Sequence, residues 1–188
     1  MIRVLRYLKG TPDHGITYRG VEPSTAQPPL IAYCDSDWAQ DLDTRRSVTG
    51  YALLLCGAAI SWQSKRQHTV TLSSVEAEYQ AAVQAAKEAI WWRRFLTALG
   101  HDMSDPTILR SDSQGSIQLI KNGASGHDRT KHVETWHHFL TELTERNIIK
   151  MHHVGTADMA ADILTKGLGR HKHEAGMKML GMMSEKRD

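Results

Sequence analysis

The sequence predicts an α/β domain in which a mixed β-sheet carries helices on its faces. Two observations lead there. Apolar runs and amphipathic stretches follow one another in the order β-β-β-α-β-α-α-β-α, with short connections early and long ones later. Four acids, Asp35, Glu78, Asp112 and Asp162, punctuate that order at a strand, a helix, a strand and the terminal helix. A chain of 188 residues with 40% hydrophobic and 23% charged residues is long enough for one sizeable core.

The elements follow in order. Residues 2–9 space Ile2, Leu5, Tyr7 and Leu8 as a short amphipathic helix, stopped by Gly10 and Pro12. Residues 19–29, with Gly20, Pro23, Ser24, Pro28 and Pro29, read as a linker. Leu30–Cys34 is a compact strand. Ser47–Cys56 is a second, whose run of Leu53, Leu54 and Leu55 is too continuous for an exposed edge. Gly57-Ala58 can turn it into a third strand, Ala59–Gln63, so these three form an antiparallel meander. Residues 73–99 make the strongest helix, with Val75, Tyr79, Ala82, Val83, Ala86 and Ile90 in one stripe and Gly100 at its end. Thr107–Arg110 is a fourth strand, followed by helices near Ser113–Lys121 and Thr130–Arg146, with a turn at Asn122-Gly123 between them. Ile148–Val154 is the fifth strand, and Met159–Lys166 begins a further helix.

Composition narrows the function classes. The net charge of +2 announces no nucleic-acid binder, so any such contact must come from local basic groups. Cys34 and Cys56 read as buried free thiols of a reducing compartment rather than a disulfide or metal site. No apolar stretch is long enough to cross a bilayer and no secretory signal is visible, which predicts a soluble intracellular protein.

Each acid also has a purely structural reading. Asp35 and Asp37 could both serve a turn. Glu76, three residues after Ser73, fits a capping box. Asp112 could cap the helix that follows, and Asp162 could be a first-turn acid favoured by the helix dipole. Jointly, four acids in this order point instead to carboxylates that hold hard divalent cations at a phosphodiester. Magnesium prefers oxygen ligands and keeps several waters, and paired ions in such sites lie about 3.5–4 Å apart.

The local motifs are specific. Arg6–Pro12, Asp35-Ser36-Asp37-Trp38-Ala39, Arg45–Tyr51, Ile60–Lys65, Leu72–Tyr79, Thr130–Glu134 and Ala161-Asp162-Ile163-Leu164-Thr165-Lys166 span most of the chain. On these blocks the chain resembles the ribonuclease H domain of copia-type LTR retrotransposon Pol polyproteins, with the tail of the reverse transcriptase region at its N-terminus. The resemblance implies a ribonuclease H-like fold, a five-stranded mixed sheet with three antiparallel strands and then two parallel ones. It implies a division into residues 1–28 (reverse transcriptase tail and linker), 29–168 (ribonuclease H domain) and 169–188 (C-terminal helical tail). It implies endonucleolytic cleavage of the RNA of an RNA–DNA hybrid, leaving 3′-hydroxyl and 5′-phosphate ends. Two Mg²⁺ ions, for which Mn²⁺ can substitute, would be held by Asp35, Glu78, Asp112 and Asp162. The partners implied are the hybrid and the reverse transcriptase region of the same polyprotein, with no membrane. Glu78 is preferred to Glu76 because Glu78-Tyr79-Gln80-Ala81-Ala82 matches the family's Glu-x-x-Ala-Ala register.

Two positions depart from the pattern: Gln40 stands where Gly is usual, and Met159 where Asn is usual. The loop Gly155–Asp158 lacks the histidine that cellular enzymes place after the last strand. His153 is near it but belongs by pattern to the strand. The His137-His138 and His152-His153 pairs lack an accompanying C-x-x-C, which argues against zinc. Substrate contacts are expected from Ser73, Ser74 and Gln114, beside the acids, and from the basic residues Lys65, Arg66, Arg129, Lys131 and Lys166, with His132 at a family position. At least one of Trp91 and Trp92 should be buried. An integrase-like enzyme would order its acids Asp, Asp, Glu. A non-catalytic connection domain would have lost acids.

Overall fold

A computed structural model describes residues 2–19, 30–39, 43–71, 73–122 and 131–184, and the side chains of 122 and 131–134 are not among the described parts. The linker expected at 19–29 and the Asn122-Gly123 turn therefore fall largely outside the described residues, as do Gln40 and Arg129.

The predicted sheet forms. Strands β2 (Ile31–Asp37), β3 (Val48–Leu55) and β4 (Ala58–Arg66) make an antiparallel meander, while β5 (Thr107–Ser111) and β6 (Ile149–His153) add in parallel on the other side of β2. The spatial order is β4–β3–β2–β5–β6. β3 lies inside the sheet and is almost wholly buried, which explains its unbroken apolar run. The β3–β4 turn differs from expectation. It is Cys56-Gly57, with φ of 53° and 77° respectively, a pair of left-handed residues suited to a two-residue hairpin. Cys56 is thus a half-buried turn residue, whereas Cys34 is fully buried, and both are free thiols.

Helices α2 (Ser74–Ala98), α3 (Gln114–Asn122) and α4 (Lys131–Glu145) cover one face of the sheet. Small residues let α2 approach closely: Ala77, Ala81, Ala82, Ala85, Ala86 and Ala89 are buried together with Tyr79 and Val83. Leu140 and Leu143 of α4, and Ile117 and Ile120 of α3, complete this core. The other face holds a smaller core of Tyr33, Ala52, Leu54 and Ala59. It is closed by Met159, Ala160 and Ala161, which lead into the short helix α5 (Asp162–Thr165), and by Leu180 after α6 (Arg170–Met179).

Two short strands escaped the sequence reading. β1 (His14–Ile16) pairs antiparallel with β7 (Met182–Ser184), so the C-terminal segment contains a strand as well as a helix. Thr17 N–H donates to the Gly181 carbonyl, and Ala59 N–H to the Leu180 carbonyl. Arg19 N–H donates to the Cys56 carbonyl, which ties the N-terminal segment to the β3–β4 turn. The predicted N-terminal helix is present as α1 (Ile2–Gly10), with no buried residue. Trp92 is only partly buried against the main core and Trp91 is exposed, so neither tryptophan is buried as fully as expected.

Candidate active site

The C-terminal end of β2 places Asp35 next to the first turns of α2, and its side chain is 1% exposed. Ser73 caps α2 by accepting from Glu76 N–H at 3.1 Å, which accounts for the structural reading of that serine. One turn on, Glu78 faces the sheet and its Oε1 accepts from Ser36 N–H at 3.2 Å. The entry to α2 is braced from below. Gln67 donates from its amide to Thr49 at 2.8 Å and to the Ala77 carbonyl at 3.2 Å, and Trp38 Nε1–H donates to the Thr71 carbonyl.

Asp112 follows β5. It does not serve as the helix cap that its position allowed: Ser113 Oγ accepts from Ser116 N–H, and Asp112 Oδ2 instead accepts from the Thr156 hydroxyl at 3.3 Å. His153 ends β6, as its pattern suggested, with its exposed ring Nε2 3.2 Å from the Asp112 carbonyl oxygen. Carboxylate oxygens of Asp35, Glu78 and Asp112 lie within 4.8 Å of one another. Three acids distant in sequence thus converge from two strand ends and a helix.

Electrostatics distinguish these acids from surface carboxylates. Burial first, then the charges of Asp35 and Asp112, push Glu78 up to about 8, and its Oε2 has no hydrogen-bond partner. Burial also raises Asp35, against which the Thr165 hydroxyl and the Lys166 ammonium act. A crowded group of carboxylate oxygens, one of them (Glu78 Oε2) buried with no hydrogen-bond partner, is a site suited to added positive charge. The hard oxygen donor set fits a divalent cation such as magnesium.

Asp162, the fourth acid, begins α5 and is largely buried. It meets Asp35 through a cation: Lys166 Nζ lies 2.7 Å from Asp162 Oδ1 and 3.1 Å from Asp35 Oδ1. Thr165 donates its hydroxyl to Asp35 Oδ2. α5 reaches this position because Gly50, paired with Asp35 across β2 and β3, has no side chain. A Cβ there would stand 2.6 Å from Thr165 Cγ2 and 2.9 Å from Leu164 Cβ. We expect Gly50→Ala to lower the free energy of unfolding by about 1–3 kcal/mol through this overlap. Equilibrium urea denaturation reads the effect, and an unchanged midpoint would show that α5 is free to shift.

The remaining expected residues are placed as follows. Ser73, Ser74, Gln114, Lys65 and Arg66 are exposed. Lys131 starts α4, but its side chain and that of His132 fall outside the described ones. His137 is a buried core histidine, stacked on Tyr79 and bonded to the Leu119 carbonyl, which removes it from any metal reading. Gly50, Thr156 and Thr165 were not singled out by sequence reasoning. The available signals were the glycine inside an otherwise bulky strand and the spacing of Asp162 and Lys166 by one helical turn.

No protein-family model matches the chain. The five-stranded mixed sheet with helices on both faces is that of the ribonucleases H. LC11-RNase H1, isolated from compost, superposes with a TM-score of 0.56 at 18% identity, covering 81% of this chain and 99% of that one. RNase H1 of Halobacterium salinarum does so at 0.51 and 19% identity, covering 73% and 94%. The chain therefore has a ribonuclease H-like fold. In sequence it is 41% identical over 181 residues to the retrovirus-related Pol polyprotein from transposon TNT 1-94 of Nicotiana tabacum, and 39% identical over 181 residues to that from transposon RE2 of Arabidopsis thaliana. Each match covers 96% of this chain but only 13% and 12% of the respective relative, so the chain corresponds to a small segment of those polyproteins. In sequence it is thus similar to a segment of the retrovirus-related Pol polyproteins of plant transposons, and in structure it has a ribonuclease H-like fold.

Proposed function

We propose that the chain hydrolyses the RNA strand of RNA–DNA hybrids with two divalent ions, as the ribonuclease H activity of a copia-type retrotransposon during reverse transcription. The observation that supports this most is the convergence of Asp35, Glu78 and Asp112 within 4.8 Å of one another, with Glu78 Oε2 buried and unpartnered, on a ribonuclease H-like fold. LC11-RNase H1, of the same fold, was solved in complex with an RNA/DNA hybrid. Within the reading, residues 29–168 are the nuclease unit and residues 1–28 the end of a reverse transcriptase region that partners it. No helix among the described residues is long and apolar enough to cross a membrane.

Asp35, Glu78, Asp112 and Asp162 would hold the ions, which when bound supply an activated water and stabilise the leaving oxygen. The protein's own groups set up that arrangement. Ser36 N–H orients Glu78, while Thr165 and Thr156 orient Asp35 and Asp112. Ser73, Ser74 and Gln114 are exposed beside the acids and can donate to 2′-hydroxyls in the minor groove. Lys65, Arg66, Lys131 and His132 provide phosphate contacts that do not read the sugar.

Strand discrimination tests this reading. Incubated with Mg²⁺, the protein should cut the RNA of a hybrid and spare duplex DNA of the same sequence. Phosphate charge is common to both substrates, so selectivity must come from 2′-hydroxyl contacts and groove shape. Deoxyribonucleotides placed at the cut positions should block cleavage there, and chelation should stop it everywhere. Equal cutting of the all-DNA duplex would assign the chain to another nuclease class.

A further inference from the structure

Asp35 faces two different surroundings at once. Towards Glu78 and Asp112 it faces other carboxylates, and Glu78 Oε2 is buried without a partner. Towards Asp162 it meets an ammonium. The Lys166 side chain is 30% exposed, yet its Nζ is within salt-bridge reach of both Asp35 and Asp162, whose side chains are 1% and 11% exposed. An exposed ion pair of this kind would carry little weight. Here two nearly buried carboxylates share one cation, and removing that cation would leave like charges facing each other out of water.

We propose that Lys166 is a built-in counter-ion that occupies the cation position between Asp35 and Asp162. An ion entering among Asp35, Glu78 and Asp112 need not disturb it, whereas an ion binding between Asp35 and Asp162 must displace it. This rests on the metal-dependent reading above and adds an order of loading to it. The chemistry of lysine suits the role. Its charge is compact and strongly hydrated, and sits on a flexible four-carbon stem that can swing away without moving α5. Arginine would hold the two carboxylates in a fixed fork, and a neutral residue would leave them repelling. The i,i+4 spacing of Asp162 and Lys166 on one helical turn keeps the displaced ammonium close to the site, where a substrate phosphate would receive it.

The experiment counts ions without nucleic acid. Mn²⁺ binding to the whole chain is followed by electron paramagnetic resonance and by calorimetry, for the wild type and for Lys166→Met and Lys166→Arg. The wild type should bind one ion well and a second only weakly. Lys166→Met should tighten the second by about 10–100-fold, the range found when groups supporting metal ligands are altered, and leave the first unchanged. Lys166→Arg should keep the second ion weak. An unchanged or weakened second ion in Lys166→Met overturns the proposal, as does a second ion absent from both proteins. Loss of the first ion from every protein would instead overturn the metal-dependent function itself. Because Lys166→Met removes the countercharge of two nearly buried carboxylates and could impair folding, a wild-type measurement stands beside it. The ¹³Cε resonance of Lys166, assigned with Lys166→Arg, should move with the second phase of a Mg²⁺ titration. Movement with the first phase, or none at all, counts against displacement.

Discussion

Asp112→Asn should reduce hybrid cleavage by about three orders of magnitude while the protein stays folded and still binds hybrid. The amide is nearly isosteric and can still accept from the Thr156 hydroxyl, so the turn after β5 keeps its shape. Ser113, not Asp112, satisfies the start of α3, and helix capping is therefore unaffected. What disappears is one of three carboxylates whose oxygens lie within 4.8 Å of one another. Charge stabilisation by a bound metal supplies several kcal/mol of the barrier, and each 1.36 kcal/mol is tenfold in rate. Single-turnover cleavage with saturating enzyme isolates the chemical step, and a gel-shift assay in chelator reports binding separately. Near-normal turnover by folded Asp112→Asn would remove Asp112 from the site.

The second large effect lies in stability rather than rate. Glu78 retains its proton up to about pH 8, because burial and then the charges of Asp35 and Asp112 disfavour the carboxylate. In the unfolded chain it titrates near its ordinary value of 4.5. Between those two values the folded protein binds a proton that the unfolded chain has released, so metal-free stability falls as pH rises and levels off above about 8. The loss attributable to this one group is on the order of a few kcal/mol. Glu78→Gln keeps an oxygen for Ser36 N–H and cannot ionise. It should resemble the wild type near pH 5 and exceed it in stability near pH 9, measured by urea unfolding in chelator. Added Mg²⁺ should restore the wild type at high pH, because the ion binds the ionised carboxylates, and should stabilise Glu78→Gln much less. A wild-type curve flat from pH 5 to 9 would contradict a buried, charge-crowded Glu78.

Much of this arrangement was legible beforehand. The continuous run of Leu53, Leu54 and Leu55 marked a strand covered on both faces, and the alanine-rich stripe of α2 marked a helix that packs close to a sheet. The acids stood out because each followed an element boundary. Strands β1 and β7 were not legible, since each is only three residues long, too short for a period to show. They exist because each offers the other its backbone groups, a reason that periodicity does not carry. The turn at Cys56-Gly57 was displaced by one residue from Gly57-Ala58, because a cysteine with positive φ has no compositional signature. Lys166 was read as a surface cation that could meet phosphate. Only the approach of α5 over Gly50 brings it between two acids, and that approach is tertiary.

The pairing of His14–Ile16 with Met182–Ser184 also has a consequence for the order in which the molecule assembles. The strand Ile31–Asp37 can pair with Val48–Leu55 early, through a short loop. β1 must wait until β7 has emerged from the ribosome, and closing so long a loop carries the largest entropic cost of any pairing among the described strands. The triad of Asp35, Glu78 and Asp112 can therefore gather on the nascent chain before Asp162 and Lys166 exist. During synthesis the acids of the sheet spend an interval without their lysine. Co-translational folding would then be most sensitive to free divalent ions in that window, and least sensitive once β7 has docked.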